Sequence, residues 1–210
     1  MRGTIGVLLL LGLCGCLVAP ALASVEATYT FVPTPASLGP AGLNHDKYYS
    51  WGIDWTKPDN EVISSATLTF HNIYNDPTVP PYELANLLWT DLLNSQAAGV
   101  TSGYDSYGWP NLKTTDQYTP QIIAGTAAAL PGTPWVDNND MVPKTVSFSV
   151  PEGYFGWLSD GNFGFGVDPD CYYRLTGVDL VIKTAPELPP GLLLAAVPLA
   201  GMVVRKFRRR

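Results

Sequence analysis

Lys144-Thr145-Val146-Ser147-Phe148-Ser149-Val150 carries the pattern that decides the fold: Val146, Phe148 and Val150 fall on one face, and Thr145, Ser147 and Ser149 on the other. Side chains of a β-strand alternate with period two, so this stretch reads as a strand with one face buried and one in water. Gly177 to Thr184 repeats it, with Val178, Leu180 and Ile182 against Asp179, Val181 and Lys183. Asn162 to Val167 sets Phe163, Phe165 and Val167 against Gly164 and Gly166. Ala27, Tyr29 and Phe31 alternate near the other end, as do Ala66, Leu68 and Phe70. Ile73 then falls out of step, which predicts a bulge near His71.

Two stretches depart from this pattern. Glu83 to Asn94 places Leu84, Leu87, Leu88, Leu92 and Leu93 at helical spacing, yet Leu87 to Leu93 equally suits a buried strand; the neighbouring strands favour the strand. Residues 99 to 143 are rich in Gly, Pro, Asn, Asp and Thr, which is long-loop composition, with one strand or helix around Tyr118 to Ala124. No internal repeat is present. Short strands punctuated by Gly, Pro and Asx, without a convincing amphipathic helix, predict an all-β fold. The expected ectodomain is an antiparallel β-sandwich, jelly-roll-like, over residues 24–185.

The two ends carry an address. Arg2, the uncharged run Ile5 to Val18 and the small residues Ala21 and Ala23 predict a signal peptide over 1–23, cleaved before Ser24. Cys16 offers a lipidation site instead, but Leu17 to Ala23 would leave an apolar stretch directly after the lipid. At the other end Leu188 to Val204 holds no charge, and Arg205, Lys206, Arg208, Arg209 and Arg210 follow. At ~1.5 Å per residue this run predicts a transmembrane helix over 188–204, about 26 Å long. The basic end 205–210 would stay cytoplasmic, leaving the ectodomain outside, anchored to the inner membrane.

Pro186-Glu187, a short apolar segment and an arginine-rich end together resemble the PEP-CTERM sorting signal of exported bacterial proteins. The sequence departs from the Pro-Glu-Pro motif in placing Leu188 between Glu187 and Pro189. The resemblance implies that residues 186–210 are a sorting tail, recognised by an exosortase and cut near Pro186-Glu187 after delivery by the secretion machinery. It also implies an association with exopolysaccharide, and a place at the cell surface or outside the cell after processing. A second resemblance, to a recurring ectodomain of uncharacterised PEP-CTERM proteins, rests on Asn44-His45-Asp46-Lys47-Tyr48-Tyr49-Ser50-Trp51-Gly52-Ile53, on Ile63 to Phe70, and on Val167-Asp168-Pro169-Asp170-Cys171-Tyr172-Tyr173. It brings no activity with it.

Composition excludes some partners. Residues 24–187 hold all 18 acidic residues of the chain and six basic ones, a net charge of −12. Nucleic acid and anionic lipid would be repelled by such a domain. With both ends removed Cys171 is the remaining cysteine, which predicts a buried thiol rather than an intramolecular disulfide.

Catalytic motifs are lacking. Two histidines are present, and there is no nucleophile elbow, zinc-protease helix or phosphate loop. The expectation is a protein that is not an enzyme; a secreted hydrolase would require two carboxylates, or a His–carboxylate pair, converging in one cleft. Clustered oxygen ligands on loop-like sequence suit Ca²⁺, with Asp46, Asp168 and Asp170 as the candidate ligands and Asp137-Asn138-Asn139-Asp140 as a second cluster. The same residues also serve ordinary Asx turns. Trp51, Trp55 and Trp157 lie beside strand-like runs and are expected in the core. Tyr104, Tyr107, Trp109 and Trp135 lie in polar sequence and form the candidate ligand face of a carbohydrate-binding module. A non-catalytic structural or adhesive envelope protein is the leading expectation, with the carbohydrate-binding module second and the hydrolase third.

Overall fold

The computed structural model describes residues 25–33, 42–76, 86–105, 115–138 and 141–187. The signal peptide, the transmembrane helix 188–204, the basic end, Tyr107 and Trp109 lie outside the described residues. Eleven strands are described: β1 (Ala27–Phe31), β2 (Lys47–Ile53), β3 (Glu61–Asn75), β4 (Leu87–Leu93), β5 (Gly99–Tyr104), β6 (Ala127–Ala129), β7 (Trp135–Val136), β8 (Lys144–Ser149), β9 (Phe163–Pro169), β10 (Tyr173–Arg174) and β11 (Gly177–Pro186). Two short helices join them, α1 (Thr119–Ile123) and α2 (Phe155–Ser159).

The fold is all-β, two antiparallel sheets that share one core. The first has the order β1-β11-β3, with β8 on the far edge of β3 and β10 extending the β11 side. The second has the order β5-β2-β9-β4-β6, and β7 pairs with the start of β4 beside β6. Period-two alternation decides what each sheet buries. Leu68, Phe70, Phe148, Leu180 and Ile182 from the first meet Trp51, Leu88, Leu92, Phe165 and Val167 from the second in one cluster. Each such side chain contributes roughly 1.5–3 kcal/mol when withdrawn from water. Trp51 is buried there, and Trp55 and Trp157 pack on its margin.

The outer face of the first sheet is polar, as Thr69 bonded to Ser147 and His71 to Asp179 illustrate. The bulge lies where the broken alternation places it. The β3–β8 register shifts between Phe70 and Ile73, Asn72 takes a left-handed φ of 52°, and both flanking side chains stay buried. Leu87 to Leu93 is a strand, and the Tyr118 to Ala124 region supplies α1.

Candidate functional site

The middle of the second sheet, β9 and β4, is covered on both faces. Cross-strand neighbours share a face, so Trp89, Asp91 and Leu93 of β4 lie on the outer side together with Gly164, Gly166 and Asp168 of β9 and Tyr48 and Ser50 of β2. Glycines make this face a floor on which other side chains lie flat. A Cβ on Gly166 would stand 2.6 Å from the Tyr118 ring, one on Gly164 2.7 Å from the Gln96 side chain, and one on Gly103 2.4 Å from the Tyr48 hydroxyl.

Tyr118, just before α1, is fixed at its far end. Its hydroxyl donates to the Tyr49 carbonyl at 2.6 Å, which leaves the Ser50 hydroxyl, 2.8 Å away, as a donor to it. Its ring meets Tyr48 edge to face with centroids 5.9 Å apart. Burial pushes the Tyr118 phenol well above its ordinary pKa, and the charges of Asp168 and Asp91 add to the effect. Two aspartates seat the segment from below: Gln117 N–H donates to Asp168 Oδ2 at 2.7 Å, and Tyr118 N–H to Asp116 Oδ1 at 2.9 Å.

Asp91 stands between them with no solvent exposure. Among the described residues no amide N–H and no hydroxyl group reaches either of its oxygens. Its hydrogen bond to Asp116 therefore exists when one of the two carboxyls carries a proton. Burial, then the charge of Asp116 and that hydrogen bond, then the charge of Asp168, push the Asp91 carboxyl up to about 8. The direction favours the protonated form of Asp91 at neutral pH. Asp91 and Asp168 belong to the sheet face and Asp116 to the segment that covers it, and none of the three lines the cleft beside it.

That cleft, about 280 Å³, opens between the end of β4 and α1. Tyr48, Leu93 and Tyr118 wall it, and Asn94, Ser95, Gln96 and Gln121 form its polar rim.

A second polar group locks the corner where β3, β7 and β9 end and β4 begins. Asp137 Oδ2 accepts the Asn75 N–H at 2.8 Å while its Oδ1 pairs with Lys144 Nζ at 2.6 Å. Asn75 Nδ2 donates to Asn86 Oδ1 at 2.7 Å, and the Cys171 thiol donates to the same oxygen at 3.2 Å. Leu87 N–H donates to Asp170 Oδ1. Tyr173 is buried beside this group, against Trp135 at 5.9 Å, and its hydroxyl meets no hydrogen-bonding group of the described residues. Tyr173→Phe is therefore expected to leave stability unchanged or raise it by about 1 kcal/mol, read by urea denaturation. A loss of about 1 kcal/mol or more would show that the hydroxyl is satisfied.

The residues singled out in the sequence are dispersed. Tyr104 is 80% exposed at the end of β5. Trp135, on β7, lies four strand spacings away, roughly 19 Å at ~4.8 Å per strand. It packs against the core with Lys144 Nζ 5.9 Å from its ring, so it is not the exposed loop aromatic that its polar surroundings predict. Apolar contact with Tyr173 outweighs the local composition. Asp168 holds Gln117, Asp170 holds Leu87, and Asp46 Oδ1 meets His45 Nε2 at 3.0 Å. Among the described residues, no three His, Cys, Asp or Glu side chains are grouped to hold a metal ion. Cys171 is buried, as expected. Asp91, Asp116, Tyr118 and the amide rim escaped the sequence reading. One available signal was the charge of Asp91 inside an apolar run; another was the pair of glycines in β9.

No protein-family model matches the chain, and no curated protein matches it in sequence.

Proposed function

We propose that the chain is an exported cell-envelope or extracellular-matrix protein, sorted by its C-terminal tail, whose jelly-roll ectodomain has a non-catalytic structural or adhesive role beside exopolysaccharide. The strand orders support the jelly roll: β1-β11-β3-β8 and β2-β9-β4-β6 are the two four-stranded halves of that topology, with β5 added at one edge. The observation that carries the non-catalytic reading is how the buried aspartates are used. Asp116 and Asp168 accept backbone N–H groups of the segment before α1, Asp137 and Asp170 accept those of the strand-end residues Asn75 and Leu87, and Asp76 pairs with Arg174 at 2.8 Å. Carboxylates spent on fastening loops make a rigid, long-lived scaffold rather than an acid–base pair.

Among the described residues, a cleft of about 380 Å³ brings Glu61, Glu152, Glu187 and Lys57 into one lining, the grouping a hydrolase would draw on. Glu61 accepts hydroxyl hydrogen bonds from Tyr29 and Thr184, which direct its lone pairs into the sheet. The structural reading is therefore preferred. Its test is cell fractionation in an exporting bacterial host. The full chain is expected with the envelope, and a variant lacking 186–210 is expected in the soluble exported fraction. Retention of the truncated chain in membranes would overturn tail-directed sorting.

A further inference from the structure

We infer that the cleft between the end of β4 and α1 is a binding site for one neutral sugar unit of a polysaccharide chain. Its volume of about 280 Å³ lies just under the range of sites for drug-sized ligands, which suits a single small polar ring. The chemistry of the lining narrows the class. Asn94, Gln96 and Gln121 line the cleft, and among the described residues none of their three side-chain amides makes a hydrogen bond. Each amide offers two donors and an acceptor, the set that pairs with neighbouring ring hydroxyls. Among the described residues no charged side chain lines the cleft, although the surrounding domain is strongly acidic. An anion would find no cation there, and a cation no carboxylate. An apolar ligand would strand the amides without partners. The walls of Tyr48, Leu93 and Tyr118 offer apolar surface for ring C–H groups.

The rim is also held in place before any ligand arrives. Asn94 N–H donates to the Thr126 carbonyl at 3.0 Å, Gln96 N–H to the Asn162 carbonyl at 3.3 Å, and Tyr118 is anchored at both ends. A backbone fixed in this way loses little freedom on binding, so the ordering cost falls on the three amide side chains. This site differs from the loop aromatics: neither Tyr104 nor Trp135 lines it.

The inference rests on the reading of the ectodomain as a neighbour of exopolysaccharide, and the experiment separates the two. The purified full-length chain is titrated calorimetrically with neutral β-glucan and mannan hexasaccharides, and with oligogalacturonate as the anionic comparison. Saturable binding of a neutral oligosaccharide is expected, unchanged by added salt. Gln121→Ala and Asn94→Ala should each weaken it about tenfold, equivalent to ~1.4 kcal/mol. Thr145→Ala, on the other sheet, should leave it unchanged. Gln121 is exposed on α1, so its variant is expected to melt with the parent. Neutral binding that survives both cleft variants overturns the site while leaving the polysaccharide association standing. Binding confined to oligogalacturonate, or no binding at all, also overturns it; the fractionation result is judged apart from either.

Discussion

Asp91→Asn is expected to stabilise the protein by several kcal/mol at alkaline pH and to flatten its stability profile between pH 4 and 8. In the unfolded chain Asp91 titrates near 3.8, whereas in the fold it holds its proton to about 8. Between those values the folded state binds a proton that the unfolded state has lost. Stability is then highest below the lower value, falls as pH rises, and has lost the whole contribution above the upper one. The groups facing Asp91 make the direction firm: Asp116 and Asp168 are acids, and Tyr118 is neutral throughout the interval. Asparagine keeps the shape, removes the titration, and supplies an N–H to a neighbouring carboxylate. Urea denaturation at about pH 5 and about pH 9 measures the effect. A parent profile flat across that interval, or an Asn variant with an equally steep one, would refute the neutral-acid assignment.

How far this arrangement could be read from the chain depends on which partner each strand meets. In β8, β11 and the first half of β3, one face turns to water, so alternation alone locates both the strands and their core side chains. The reading of β9 is only half right. Gly164 and Gly166 look like an open face, yet every residue of β9 is buried, because Gln96 and Tyr118 come from distant parts of the chain to cover them. Local periodicity carries no information about such cover. Composition misleads for the same reason between 99 and 143, where Tyr118 is buried and Trp135 is drawn onto Tyr173. Asp168 and Asp170 stand two residues apart and look like joint ligands, but they fasten different segments, Gln117 and Leu87. The cleft depends on these long-range contacts, which is why its amide rim could not be recognised from spacing.

Gly166→Ala should cost about 3 kcal/mol and abolish the cleft, the second large effect expected here. The added Cβ would lie 2.6 Å from the Tyr118 ring, inside the distance that any real contact permits. The ring has little room to yield, because its hydroxyl is tied to Tyr49 and Ser50 and its own N–H to Asp116. Overpacking of this kind costs roughly 1–3 kcal/mol, and each hydrogen bond that the ring surrenders adds about 1 kcal/mol. The cause can be isolated with a double-variant cycle. Tyr118→Ala alone loses the ring's packing and hydrogen bonds, and in that background Gly166→Ala has nothing left to strike, so the two costs should fall well short of additive. Full additivity would place the strain of the alanine elsewhere on β9. Because Tyr118 is both the cover of Gly166 and a wall of the cleft, sugar binding by Gly166→Ala should fail under conditions where the sandwich still unfolds cooperatively. A Gly166→Ala protein that binds as tightly as the parent would show that the floor of the sheet does not shape the site.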